Sequence, residues 1–170
     1  MYSGEWRSHF RLTHAHNTLM VDGVQQGDPK RFFGWTRISE AECNNWNEKS
    51  VSGRMQLMNG VELIREISHP QQAIWDLMDK ASSKAGNPHR LEWFFHFAPG
   101  IEILLGEKQH SLVKNSKIIG TISAPENGVR VETKSAWFSY EYGVKVPNVQ
   151  MHAVWEGSLK AVSYTHLLRG

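Results

Sequence analysis

The sequence predicts an all-β protein, an antiparallel β-sandwich of two or more packed sheets with little helix, and three observations carry that prediction. The dominant hydrophobic period is two, turn signals recur at short and fairly even spacing, and no long stretch shows the 3.6 period of an amphipathic helix. Parallel strands need crossovers of roughly a dozen residues or more, so strands this closely spaced pair antiparallel.

Taken in order, Val61, Leu63 and Ile67 alternate first, followed by Ala73, Trp75 and Leu77. In "RLEWFFHF" the residues Leu91, Trp93, Phe95 and Phe97 share one face of a half-buried strand, with Arg90, Glu92, Phe94 and His96 on the other. Val129, Val131 and Thr133 repeat the pattern, as do Val149, Met151, Ala153 and Trp155. The signals "MNG", "APG", "ENG", "EYG" and "WEG" separate these runs. The best helix candidate covers residues 76–85, although the strand-like "QAIW" flanks it.

With 170 residues, 40% hydrophobic and 11% aromatic, the chain is large enough to bury one sizeable core. Lys and Arg number 19 against 17 Asp and Glu, a formal charge of +2, and no window gathers the basic cluster that a phosphate backbone requires. Nucleic acid is therefore not an expected partner. The single cysteine, Cys43, rules out an internal disulfide framework and a thiolate zinc cluster, and fits a reduced compartment or a disulfide-free periplasmic protein equally. No window approaches the roughly 18 apolar residues of a membrane span, and "MYSGEWRSHF" lacks the apolar core of a secretory signal. Both ends read as cut. Residues 1–161 are expected to form a truncated sandwich domain. The tail at 162–170 contains "VSYTHL", which one reading frame of a transposon-end sequencing adapter encodes, so the chain reads as an environmental fragment of a longer protein.

The stretch "FRLTHAHNTLMVDGVQQ", residues 10–26, carries the candidate chemistry. Read as a strand, it projects His14 and His16 to one face with Thr18 and Met20. Histidines at this spacing can converge on a transition-metal cation, or can both lie on a solvated strand face. Around them, "YSGEWRSHFRLTHAHNTLMVDGVQQ" resembles the signature of the heparinase II/III-like polysaccharide lyases, an Arg-x-Thr-x-Ala-His-Asn-Thr segment followed by Val-Asp-Gly and glutamine. Here it falls on Arg11, Thr13, Ala15, His16, Asn17, Thr18, Val21, Asp22, Gly23 and Gln25 or Gln26. Downstream, "HRLEWFFHFAPG" resembles a second segment of that family.

The resemblance implies a sandwich that works beside an N-terminal α/α toroid, here missing, in a periplasmic or secreted lyase. The implied substrate is an acidic, uronate-containing polysaccharide of heparan sulfate or alginate type, cleaved by β-elimination. The proton on C5 is weakly acidic, so such a site must neutralise the adjacent carboxylate as charge flows into it. In the family that work falls mainly to residues upstream, so the fragment is expected to be inactive alone. The resemblance further implies that His16, and not His14, is one ligand of a zinc site, completed by a His and an Asp from preceding strands. Tyr2 stands where several members place the proton donor, a role a phenol can fill when a neighbouring charge lowers its pKa; it reads equally as an aromatic near a chain end. Arg7 and Arg11 could hold sulfate or carboxylate groups bidentately, or be solvated strand residues.

The other polar residues read as structural. His89 and His96 bracket an aromatic strand, and Arg65, Glu66, Asp76 and Asp79 read as the wet face of a sheet. The alternative to a lyase domain is a non-catalytic carbohydrate-binding or structural sandwich, which would account for the aromatic content without catalytic residues.

Overall fold

A computed structural model describes residues 4–31, 33–84, 86–123 and 128–159, and the backbone of residues 162–169. The two-residue period becomes fourteen strands among these residues: β1 (Leu19–Val21), β2 (Gly27–Lys30), β3 (Gly34–Ile38), β4 (Glu40–Trp46), β5 (Ser50–Gln56), β6 (Glu62–Gln71), β7 (Ile74–Ser82), β8 (Pro88–His96), β9 (Glu102–Leu104), β10 (Gln109–Lys114), β11 (Lys117–Ser123), β12 (Arg130–Phe138), β13 (Val146–Ser158) and β14 (Val162–Arg169). Helix is confined, among the described residues, to α1 (Gly4–His9) and one 3-10 turn at Thr13–Ala15.

Three antiparallel sheets result. One has the order β1-β8-β13-β12, a second β4-β5-β6-β7-β14-β11-β10-β9, and β2 with β3 forms a hairpin. Residues 162–169, read from the sequence as an adapter-derived tail, run as β14 between β7 and β11.

The helix candidate at 76–85 is instead mostly strand. Asp76 to Ser82 belong to β7, paired with β6 on one side and β14 on the other, and Ala85 lies outside the described residues. Cross-strand pairing overrides a local pattern that never reached a full amphipathic helix. Of its odd-numbered face Asp79 and Ala81 are buried and Leu77 half-buried, but Trp75 is exposed and Ala73 occupies the turn before the strand at φ 60.

The core lies between the two large sheets. Leu63 and Ala81 meet Leu19, Val21, Leu91, Trp93 and Ala153 of the four-stranded sheet, while Leu57, Val61 and Leu159 join from the connections. Leu57 and Val61 reach it because the "MNG" turn folds tightly, with Leu57 N donating to Val61 O and Gly60 at φ 83. Each fully buried aliphatic side chain contributes about 1.5–3 kcal/mol of transfer free energy.

The core also holds a charged pair. Arg65 and Asp79 stand opposite each other on β6 and β7 and form a bidentate bridge, Nε to Oδ1 and Nη2 to Oδ2, both 2.6 Å. Trp93 Nε1 donates to Asp79 Oδ2 at 3.0 Å, joining the two sheets. This corrects the wet-face reading for Arg65 and Asp79: Arg65 shares parity with Leu63 and Ile67, so the alternation that points them inward points it inward as well.

Candidate functional site

The segment from α1 to β1 covers one end of the outer face of the four-stranded sheet, and hydrogen bonding explains nearly every polar residue of its motif. Thr13 is buried; its N–H donates to Gln25 Oε1 and its Oγ1 accepts from Gln26 N, both 2.8 Å. Gln26 Nε2 donates to Thr18 Oγ1 and Leu19 O, each at 2.9 Å. Asn17 Oδ1 accepts from His96 N at 2.7 Å, and Asn17 O accepts from Arg65 Nη1 at 2.6 Å, so the core ion pair also anchors this segment.

The Val-Asp-Gly turn is equally committed. Asp22 and Gly23 both adopt positive φ, 54 and 68, the geometry of a tight hairpin turn between Val21 and Val24. The Asp22 carboxylate then accepts from Arg90 N at 2.9 Å and meets His89 Nδ1 at 2.8 Å.

His16 is the exception. It is exposed, and among the described residues its ring makes no hydrogen bond. It borders two clefts. One, about 240 Å³, is lined by Arg11, Thr13, His16, Trp35, Ile38 and Met55. The other, about 490 Å³, is bounded by Phe10, His16, Asn17, His96, Trp137 and Ser139.

The strand reading of the histidine pair is corrected. Thr13 to Ala15 form a 3-10 turn, β1 begins only at Leu19, and His14 therefore does not share a strand face with His16. The turn aims His14 at other rings: it meets Phe94 edge-on at 6.4 Å and His9 at 5.2 Å. Its carbonyl oxygen accepts from Gln150 Nε2 at 3.0 Å and lies 2.9 Å from His96 Nε2. Gln150 Nε2 is also 2.7 Å from His96 Nε2. His96 Nε2 thus faces both the His14 carbonyl and the Gln150 amide, and its tautomer decides which of the two it bonds. Nδ1 is buried without a partner among the described residues.

Burial is the first cause that lowers the pKa of His9, His14 and His96. Neighbouring imidazoles add to it in all three, and Lys145 adds to it at His9. These three rings are therefore mainly neutral near pH 7.

The remaining candidates fall apart from one another. Arg7 lies over the Phe33 ring at 4.7 Å. Arg11 lies over Trp35 at 4.4 Å and donates to Arg31 O at 2.9 Å and to Gly34 O, so it holds the β2–β3 hairpin. Tyr2 lies outside the described residues. Among the described residues no three His, Cys, Asp or Glu side chains converge as metal ligands, so His16 has no partner ligands here and no chemistry is derived through a metal. Also among them, no helix is long and apolar enough to cross a membrane.

Sequence reasoning missed Gln150, Trp137 and Lys145. Gln150 carried a signal, since a glutamine set into the buried run of β13 needs a polar partner. The other two gain meaning only from the path of α1, as Lys145 Nζ sits 3.4 Å from the Trp6 ring centre and 3.7 Å from that of Trp137.

Solved structures share this fold. The chain superposes on heparan sulfate lyase HepC from Pedobacter heparinus with a TM-score of 0.81 at 13% identity, covering 99% of this chain and 26% of that one. A heparinase III described as the BT4657 gene product gives 0.76 at 14% identity, with 97% and 25% covered. Another heparinase III gives 0.68 at 12%, with 99% and 25% covered. At such identities the likeness shows the fold alone, and the chain spans about a quarter of the length of these structures. No curated protein matches the sequence. The family model for the heparinase II/III-like, C-terminal domain matches residues 1–164, nearly the whole chain, and it is to this family that the chain belongs.

Proposed function

We propose that the chain is the sandwich domain of a polysaccharide lyase that cleaves uronate-containing polysaccharides of heparan sulfate or alginate type by β-elimination. One observation carries the reading: in a motif whose other polar residues are committed to local hydrogen bonds, His16 alone keeps an exposed, unbonded ring at the border of two clefts. A position that the fold does not use is free to serve chemistry.

In this reading the reaction removes the C5 proton beside the uronate carboxylate and protonates the departing C4 oxygen. Tyr2 gives the latter proton. The groups that neutralise the carboxylate belong to a toroid outside this chain, so the chain alone does not turn over. His16 supplies one zinc ligand whose partners also lie outside the chain, since one imidazole falls short of the three or four protein ligands such sites use. The protein works in the periplasm or outside the cell, where such polymers occur.

The test is to assay the full gene product on heparan sulfate, alginate and other uronate polymers for the unsaturated, ultraviolet-absorbing product. Cleavage of any of them, lost on His16→Ala, supports the reading. Cleavage of none overturns it.

A further inference from the structure

We propose that the inner face of β4 and β5, with the trough that runs from it to His16, is a docking surface for a preceding segment of the full gene product. The proposal rests on the longer gene product of the lyase reading and not on its chemistry.

The two large sheets are unequal, eight strands against four. The four-stranded sheet stops at β1, whose Leu19 and Val21 pack with Leu63 of β6 and Ala81 of β7. In the larger sheet β5 and then β4 follow β6, beyond that edge. Register tells which of their side chains look inward. Ala41 pairs with Met55, Cys43 with Gly53 and, past a bulge, Trp46 with Val51, and paired residues share a face. Met55 packs against the core, so these positions belong to the inner face. Yet β4 is exposed along its whole length and Trp46 is 81% exposed. An indole on the inner side of a sandwich, with no second sheet across from it among the described residues, is apolar surface without its partner.

Two cavities continue this face into a trough. One, about 300 Å³, is lined by Leu19, Val51, Leu63 and Ile67; the other, about 240 Å³, is the smaller cleft of His16, and both reach Gln26 and Met55. The first suits apolar side chains. The second suits a polar one, since Ser39 on its wall is 7% exposed and its Oγ is buried with no partner among the described residues.

A strand simply added to the smaller sheet does not fit, because the outer edge of β1 is closed. Leu19 O accepts from Gln26 Nε2 at 2.9 Å, and Val21 pairs with Val24. The occupant therefore docks through side chains and brings its own backbone bonds already made. Polypeptide of the same product is the occupant that is at hand. The chain spans about a quarter of the length of the structures it superposes on. Arg7 of α1 and Arg11 just after it stack on Phe33 and Trp35 of the hairpin beside the trough, so polypeptide joined ahead of α1 arrives next to it. A tethered segment also docks at high effective concentration.

The experiment uses Cys43 as its probe, because this thiol is exposed here and lies on the face in question. The full gene product is treated with iodoacetamide and labelling at Cys43 is followed by peptide mass spectrometry, with Glu107→Cys, in an exposed loop, as the reference site. Native Cys43 should react at least roughly tenfold more slowly than the reference, and the two should react alike in denaturant. Trp46→Lys sets a charge under the docked segment and should remove most of that protection. Trp46→Ser, which adds no charge, should remove part of it and keeps the test open if the lysine variant does not fold. Native Cys43 as reactive as the reference, or protection that survives Trp46→Lys with unchanged far-ultraviolet circular dichroism, overturns the docking surface. Protection lost on dilution gives the face to a second copy and overturns it as well. The lyase reading fails separately. A product that shields Cys43 but cleaves no uronate polymer keeps the docking surface and loses the lyase, whereas one that cleaves with Cys43 reactive keeps the lyase and loses the surface.

Discussion

The two faces of the four-stranded sheet are both closed to solvent over much of their area, but by different means. The inner face of β8 and β13 presents Leu91, Trp93, Met151 and Ala153, each at most 1% exposed, and packs against the larger sheet. The outer face of the same strands presents Phe94, Gln150, His152 and Val154, all at most 7% exposed, together with Glu92 and His96. There His152 stacks on Phe94 at 5.0 Å while its ring nitrogens meet Glu92 and Glu132, each at 3.1 Å. An apolar face holds by area and tolerates relaxation. A polar face holds only while each group keeps its partner, so its side chains are placed more sharply and it is the face on which the histidines gather.

The largest effect should come from the one point where the inner face depends on charge. Asp79→Ala takes the carboxylate from the partly buried Arg65 guanidinium and the acceptor from the Trp93 indole N–H, and should cost about 3–5 kcal/mol, read as a lower denaturant midpoint. Replacing both Arg65 and Asp79 with apolar residues should restore much of that loss. If the double variant is as unstable as the single one, the pair does more than satisfy itself, and the contrast drawn between the faces fails.

Next in size are the effects on chemistry in the full gene product. Tyr2→Phe removes only a hydroxyl and should slow elimination by roughly a hundredfold or more if that group is the general acid. His16→Ala should strip zinc, read by elemental analysis, while His14→Ala should leave it in place. The reverse pattern would move the function from the exposed ring to the half-buried one.

Within the outer face, Gln150→Leu should cost about 1–3 kcal/mol, because it takes the amide donor from His14 O and the polar contact from His96 Nε2. A core substitution of similar volume between apolar residues, such as Met151→Leu, should cost less, about 1.5 kcal/mol at most. Thermal melts of the two variants side by side compare the faces directly.

These contrasts also mark how much the sequence made legible. The inner face was readable, since period two placed Leu91, Trp93, Met151 and Ala153 together. Arg65 was misread although its parity was plain, because charge type was allowed to outweigh alternation. His16 was readable only through its motif: spacing treated it like His14, and what separates the two is a single 3-10 turn set by Thr13 and Gln25. The larger cleft was not readable at all, as Phe10, His16, His96 and Trp137 are brought together by long-range packing that no local pattern encodes.

The smallest effect concerns pH and separates buried histidines from an exposed carboxylate. Burial lowers the pKa of His110, as it does at His9, His14 and His96, so the folded state holds fewer protons than the unfolded one once pH falls below the ordinary value of 6.5. Stability is therefore full above 6.5 and declines as pH falls through that value, flattening once the folded-state groups also protonate. His110 is 4% exposed, with Nε2 unpartnered among the described residues, and it lies away from the clefts, so His110→Leu should remove its part of the decline without touching the site. Glu132 acts in a later window. Lys134 first, and then His152, hold its carboxyl at about 2 against an ordinary 4.5, so its contribution is present above 4.5 and fades as pH falls through about 2. It is fully exposed, so its share is slight and salt should erase it. Melting temperatures taken from pH 8 to pH 2, at low and high salt, should show an upper step that survives salt and a lower one that does not. A single salt-sensitive step would mean that surface charge, and not burial of the imidazoles, governs the acid response.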